Sequence, residues 1–260
     1  MLRLLKIEWL KVKNYRAFWI FLILYIGALV GINYFAYYLQ GQLKTQVPIE
    51  LFPYNFPKVY QTIAWISSWL LYFPGMIMIL VISNEYSFKT HRQNVIDGLE
   101  RRQFIVSKIM FAVILAITLT ICCFVIALVF GAIFSGSTSF DGIEYIGYAF
   151  LQALCYLFFA MILAVLLRRS GLAMAVFFLY GLVFEQVIGA GLIDKLIFGG
   201  NHYVWYYMPL EASDVLVPMT FGNKIFYADA PSQSVLLVVC LVYILLYCFF
   251  AWRKFETDDL

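Results

Sequence analysis

Charged residues are scarce in this chain. Only 13% of its residues are Asp, Glu, Lys or Arg and 64% are hydrophobic, whereas soluble domains carry about 25% charged residues. This composition excludes an ordinary soluble protein. Backbone groups in lipid must be hydrogen-bonded within their own segment, so long apolar runs of this kind predict transmembrane helices. The fold class expected is an all-α membrane protein.

Residues that build catalytic and metal sites are equally few. The two histidines, His91 and His202, fall in separate polar segments, and the chain has no GxxxxGK[ST] phosphate loop. We therefore predict no catalytic residue, no metal site, no cofactor bound by this chain and no ATP hydrolysis through such a loop. The five cysteines all lie in apolar runs without metal-type spacing, which indicates buried side chains rather than zinc ligands or disulfides.

Six apolar runs are long enough to cross a bilayer, which takes about 20 helical residues. They cover residues 17–39, 62–83, 104–134, 145–167, 171–192 and 233–252. Pro74-Gly75 in the second run predicts a kink, which is either a hinge or a static bend. The third run is the longest, and we expect Lys108 near its start to extend its stem toward the interface.

The basic residues predict the topology. With both termini in the cytoplasm, 14 of the 18 Lys and Arg residues lie inside, and only Lys44, Lys58, Lys195 and Lys224 lie outside. Because the basic residues cluster at the ends of apolar runs, topology accounts for the net charge of +3, and nucleic acid is not an expected partner.

Two flanking segments carry their own signals. Residues 1–16 contain five basic residues and one acid, Glu8, with Leu5, Trp9 and Val12 on one helical stripe. This favours an amphipathic helix on the inner membrane face, and the alternative is a plain positive flank of the first span. The aromatic outer segment, residues 193–232, is too long for a structureless connector, which predicts short interfacial or re-entrant helices.

A polar stretch, residues 85–102, separates the second and third runs. Thr90 and Gln93 have the spacing of a capping box, and Gly98 suits a helix stop, so we predict a short cytoplasmic helix over residues 89–97. The candidate contact residues are Glu85, Lys89, Thr90, Arg92, Gln93, Gly98, Arg101 and Arg102. Charge alone offers another explanation, in which the arginines only anchor the inner ends of the spans.

Glu185 is the one acid well inside an apolar run, and Gln186 follows it. A carboxylate at that depth is costly, so it should face the interior of the bundle or pair with another group. Two roles remain open. It either lines a path for cargo or protons, or it forms an interhelical hydrogen bond that fixes the packing.

The polar stretch resembles the cytoplasmic loop of type-2 ABC exporter permeases. In that family an E-x-x-x-x-T-x-R-Q stretch is followed by a G-x-x-R turn and a lysine that opens the third span. The matching residues are Glu85, Thr90, Arg92, Gln93, Gly98, Arg101 or Arg102, and Lys108. The basic, Trp-containing start and the six-span layout are also similar, most of all to the small stand-alone permeases of antimicrobial-peptide immunity, bacitracin export and sodium export. The chain departs from the family at Lys89, where a glycine often precedes the threonine.

The resemblance implies a permease subunit of an ATP-driven exporter in a bacterial inner membrane. A separate ATPase subunit, present in two copies, would bind ATP and Mg²⁺ and would dock on the 89–97 helix and on the amino-terminal helix. A second permease chain, identical or different, would face the first. The conduit would lie between the two copies and be lined by the first, second and fifth spans, with Glu185 and Gln186 as candidate lining residues.

Three other functions compete with this one. A secondary transporter or channel usually carries several intramembrane charges or an internal repeat, and an intramembrane enzyme needs a polar cluster at one depth. Neither feature is visible. A membrane scaffold for an outer-surface partner would suit the long aromatic outer segment.

Overall fold

The computed structural model describes residues 2–43, 52–88, 90, 101–136, 138–197, 204–220 and 230–257. Within these ranges the ordered elements are all helices. The elements in chain order are α1 (Leu2–Lys13), α2 (Arg16–Leu43), α3 (Val59–Leu70), α4 (Tyr72–Ser87), α5 (Arg101–Ser135), α6 (Glu144–Leu167), α7 (Ser170–Leu179) with a π-helical continuation (Tyr180–Ile197), a 3₁₀ turn (Val204–Tyr207), α8 (Glu211–Asp214) and α9 (Gln233–Thr257).

The helices confirm the all-α membrane fold. Five helical stretches in the described ranges are long and apolar enough to cross a membrane, and α3 with α4 is a sixth candidate span, bent at a short break. The observed helices extend beyond the predicted runs at one or both ends. The basic amino terminus is helical, and a turn at Asn14-Tyr15 separates α1 from the first span.

The second span breaks at Leu71, where α3 and α4 meet at an angle of 42°. Pro74 lies in the first turn of α4 and has no N–H, so it cannot bond the carbonyl group of Leu70. The break therefore falls about one turn before the predicted site. Gly75 lets the ring of Phe177 from α7 approach closely, because a Cβ atom at this position would collide with that ring.

The centre of the bundle is α6, which packs against α3, α4, α5, α7 and α9. Its central residues are almost wholly buried, among them Cys155, Leu157, Ala160 and Met161. By contrast α2 and α9 expose large apolar side chains along much of their length. Such faces suit lipid or a neighbouring helix.

The bundle has two distinct ends. The charged end gathers α1, the last turns of α4, α6 and α9, and the first turns of α5. There Arg102 pairs with Glu256 at 3.1 Å, and Arg168 lies over the ring of Tyr86. At the opposite, aromatic end, the hydroxyl of Tyr54 donates to the carbonyl oxygen of Asn33 at 2.9 Å, and that of Tyr60 donates to the carbonyl oxygen of Ser139 at 2.8 Å.

Candidate functional site

The charged end contains a buried cluster of ionisable side chains from three helices. Glu8 comes from α1, Glu85 from the end of α4 and Lys108 from the second turn of α5. Their exposed fractions are 2%, 4% and 1% respectively. Charges this far from water are costly unless they are paired, so each needs a partner within the protein.

Lys108 supplies the link between the two acids. Its Nζ donates to Glu8 Oε2 at 2.6 Å and to Glu85 Oε1 at 2.5 Å. Lys11 Nζ lies 3.0 Å from the same Glu85 oxygen, and the Ser107 hydroxyl donates to Glu8 Oε1 at 3.1 Å. Two lysines and two glutamates thus form a cluster with balanced charge, called here the α1 ion cluster.

The electrostatics of the α1 ion cluster keep Glu8 ionised. Burial alone raises the pKa of a carboxyl group, but the positive charges of Lys108 and Lys11 outweigh it and hold the pKa of Glu8 below its usual value. Glu8 is therefore a carboxylate at neutral pH, as its bond to the Lys108 ammonium requires.

The α1 ion cluster joins α1 to two spans at once. Removing one partner of a buried ion pair costs about 3–5 kcal/mol, because the remaining charge is left without a partner. Separating α1 from α4 and α5 would strand such charges. A displacement of α1 alone would therefore separate buried charges that belong to the ends of the second and third spans.

A cleft of about 250 Å³ lies beside this cluster, between α1 and α4. Lys11, Val12 and Tyr15 form one wall, and Asn84, Glu85, Phe88 and Thr90 contribute to the other. Phe88, at the edge of the cleft, is 75% exposed. The charged end thus offers a recess and an apolar side chain at the start of the 85–102 segment.

A second polar cluster lies where the π-helical segment meets α8. Glu185 is 1% exposed, and its two carboxylate oxygens accept the backbone N–H groups of Leu210 at 2.8 Å and Glu211 at 3.0 Å. The side-chain amide of Gln186 donates to Glu211 Oε2 at 2.8 Å. Glu185 therefore binds the backbone where α8 begins and holds the 204–220 segment against the bundle.

Asp214 completes this second cluster. It accepts hydrogen bonds from Gln152 at 2.7 Å and from the Tyr156 hydroxyl at 2.9 Å, both on α6. A cavity of about 100 Å³ opens here. Its lining includes Trp65, Trp69, Tyr72, Gln186, Glu211 and Asp214. Among the described residues, no group of acids, histidines and cysteines is arranged to hold a metal ion.

Comparison with protein families identifies the chain. Residues 4–184 match the family model described as ABC-2 family transporter protein. The chain belongs to the ABC-2 transporter family. The matched region contains the whole α1 ion cluster and ends one residue before Glu185. No curated protein matches the chain.

Family membership makes the protein a permease subunit of an ABC transporter. It also implies an ABC ATPase as the partner that supplies energy. Members of this membrane family are normally non-catalytic subunits. The resemblance drawn from the residues of the 85–102 segment is thereby confirmed at the level of the family.

The structure places the predicted coupling residues of this ABC-2 permease in three different settings. Glu85 belongs to the α1 ion cluster. The half-buried Thr90 places its hydroxyl 3.5 Å from the Glu85 carbonyl oxygen. Arg102 is exposed, and its guanidinium lies 5.9 Å from the centre of the Trp252 ring as well as bonding Glu256. Arg102 thus ties α5 to α9.

The remaining predicted coupling residues fall, wholly or in their side chains, outside the described residues. The backbone of Arg101 begins α5, but its side chain lies outside the described residues. Lys89, Arg92, Gln93 and Gly98 also lie outside them, as does the predicted 89–97 helix apart from Thr90.

The part of the site that the sequence did not reveal is the pairing of Glu8 with Lys108. Lys108 was expected to extend toward the interface, but it is fully buried and held by two carboxylates. The expectation was wrong because α1 covers the start of α5 and brings its own acid. The available signal was a single acid in a basic helix and a lysine inside an apolar run, each of which needs a partner.

The candidate cargo residues also differ in their surroundings. Glu185 is engaged by backbone N–H groups, which fits the packing alternative for this residue. Gln186 is exposed and reaches the cavity that Trp69 and Tyr72 line.

Proposed function

We propose that this ABC-2 permease is the membrane half of an exporter whose ATPase subunits dock at the charged end. In this arrangement the charged end faces the cytoplasm of a bacterial cell, and the protein lies in the inner membrane with both termini inside. ATP and Mg²⁺ bind to the ATPase partner, and the permease chain carries no cofactor.

The observation that carries the proposal is the α1 ion cluster. A partner that presses on α1 or on the 85–102 segment acts on Lys108, Glu8 and Glu85 together. Because these charges cannot be separated cheaply, the pressure moves α1, α4 and α5 as one body. The break at Leu71 then gives the second span a place to bend while its inner half, α4, follows the ATPase.

A pair of permease chains completes the transporter in this proposal. ABC ATPases work as two copies, so two six-span bundles receive the force. The cargo path runs between facing copies, past the cavity that Gln186 lines. Glu185 acts there by holding the 204–220 segment in place.

The decisive experiment is purification of the tagged chain from native membranes in mild detergent, with mass spectrometry of the proteins that come with it. We expect an ATPase subunit with a phosphate-binding loop. Arg92→Glu combined with Arg101→Glu should abolish its co-purification and leave membrane insertion intact, since the docking charges are reversed.

The matched control is Arg253→Glu combined with Lys254→Glu, which reverses two charges at the end of α9 instead. Retention of the ATPase by this control and its loss from the first variant would support docking on the 85–102 segment. Normal co-purification with the Arg92 and Arg101 variant would refute that assignment.

A further inference from the structure

An apolar groove of about 390 Å³ opens at the charged end, on the side away from α4. Its walls come from α1, α2 and α5, with Leu5, Trp9, Trp19, Phe111 and Leu115 among the lining side chains. From Phe111 to Thr118 the groove follows α5 for about 10 Å, at 1.5 Å per residue. The groove thus lies between the amino-terminal helix and two spans and follows one of them for about two helical turns.

The mouth of the groove has the chemistry of a membrane interface. The rings of Trp9 and Trp19 meet edge to face with centroids 6.4 Å apart, and both side chains are exposed, at 50% and 40%. The Trp19 indole N–H donates to the carbonyl oxygen of Lys13. Tryptophans with an apolar ring and a bonded N–H are typical of the level at which headgroups meet acyl chains.

Basic residues neighbour both tryptophans. On a helical wheel Lys6 and Lys13 fall next to Trp9 of α1, and Arg16 lies one turn before Trp19 on α2, whereas Lys11 is bonded to Glu85. Lys6, Lys13 and Arg16 are exposed, and within the described part of the chain none of them forms an ion pair.

The acid among the described lining residues of the groove does not repel an anionic ligand. Glu8 reaches the lining, but its carboxylate is bonded to Lys108 and Ser107. Among the described residues the groove therefore combines an apolar interior with basic neighbours that no acid pairs.

From the apolar groove, the paired tryptophans at its mouth and the basic residues beside them, we infer that this groove binds one acyl chain of an anionic phospholipid. The chain lies along Phe111 and Leu115, and the headgroup phosphate is held by Lys13 and Arg16. The bound lipid fills the space between α1 and the two spans, next to Glu8 and on the side of the α1 ion cluster away from α4. This inference goes beyond the proposed function and does not depend on ATPase docking.

The test uses the full chain reconstituted in phosphatidylcholine vesicles that contain increasing, matched mole fractions of dibrominated phosphatidylglycerol or dibrominated phosphatidylcholine. Bromine quenches nearby tryptophans. The difference in quenching between the wild type and the Trp9→Phe, Trp19→Phe variant isolates the groove signal. Half-quenching by the anionic lipid should occur at a mole fraction about fivefold lower for each basic residue that contacts the headgroup.

Three variants sharpen the result. Lys13→Gln with Arg16→Gln should remove the preference for the anionic lipid, whereas Arg253→Gln with Lys254→Gln should keep it. Thr118→Phe should fill the end of the groove farthest along α5 and weaken quenching by both lipids. Equal quenching of the wild type by the two lipids would reduce the groove to unselective contact with bulk lipid and overturn the inference. No quenching of Trp9 and Trp19 by either lipid would also overturn it, because the groove would then be covered by a second copy or another protein.

Discussion

Lys108 carries its charge at a position with 1% exposure, and it does so because two carboxylates reach it from other helices. Each acid is separated from this lysine by more than 20 residues along the chain, so the pairing exists only in the folded bundle. A buried ion pair is weak evidence for stability, since the cost of desolvation offsets the attraction. Its stronger consequence is that the three helices keep one relative position.

Replacing Lys108 alone should be costly. Lys108→Met keeps the volume but leaves Glu8 and Glu85 buried beside Lys11 alone, and we expect a loss of about 3–5 kcal/mol in the free energy of unfolding. Thermal unfolding in detergent measures it, with the exposed Lys58→Met as the control. The triple variant Lys108→Met, Glu8→Gln, Glu85→Gln removes the stranded charges and should recover most of the loss. A single variant as stable as the wild type would contradict the importance of the α1 ion cluster.

The pH dependence of α1 docking follows from Glu8. Its pKa is depressed below the ordinary value of 4.5, so its contribution is fully present above about pH 4.5 and is lost as the pH falls through the lowered value. The wild type should exceed Glu8→Gln in stability by about 2 kcal/mol at neutral pH, the worth of a hydrogen bond to a charged group. Unfolding of both proteins across the acid range should show the two converging below pH 4.5. A gap that persisted in strong acid would mean that Glu8 acts through packing rather than charge.

At the scale of the helical element, the broken second span packs closely against α7. Gly75 of α4 lies beneath the Phe177 ring, which is itself fully buried between Tyr72, Tyr156 and Phe159. The ring has no free direction in which to move. Proline fixes where this span breaks, and glycine fixes how closely α7 packs on it.

A methyl group at this contact should therefore destabilise the fold. Gly75→Ala should cost about 1–3 kcal/mol through overpacking, and Phe177→Leu in the same chain should restore part of the loss by making room. Gly27→Ala on α2 is the matched control, because nothing lies within 4 Å of a Cβ atom there. Thermal unfolding of the three variants distinguishes them. Equal effects at Gly75 and Gly27 would show that helix propensity, and not the Phe177 contact, determines the outcome.

The sequence predicted the positions of the helices better than the side-chain contacts between them. Hydropathy alone located α2, α5, α6 and α9, because each must satisfy its backbone groups within itself. Pro74 located the break in the second span to within one turn. The link from Lys108 to Glu8 joins residues 100 positions apart, and no local pattern encodes which acid a buried lysine will meet. The bond from Glu185 to the start of α8 was hidden for the same reason.

At the scale of the whole molecule, the two ends of the bundle differ in the side chains that meet there. The charged end holds the α1 ion cluster, the Arg102 and Glu256 pair, and Arg168 over Tyr86. At the aromatic end, the hydroxyl groups of Tyr54 and Tyr60 donate hydrogen bonds to backbone carbonyl oxygens. The bias of 14 basic residues to 4 between the predicted sides predicts that the charged end faces the cytoplasm.

Maleimide labelling of single introduced cysteines tests this orientation. In a background without the five native cysteines, Lys13→Cys and Arg169→Cys place a thiol at exposed positions of the charged end, and Lys58→Cys and Asp141→Cys place one at exposed positions near the aromatic end. A membrane-impermeant maleimide should label the last two in intact cells and the first two only after the membrane is permeabilised. The opposite pattern would put the charged end outside, where no cytoplasmic ATPase can reach α1, and the proposed coupling would fail. Each pair serves as the control for the other, because all four thiols should react once both faces are open.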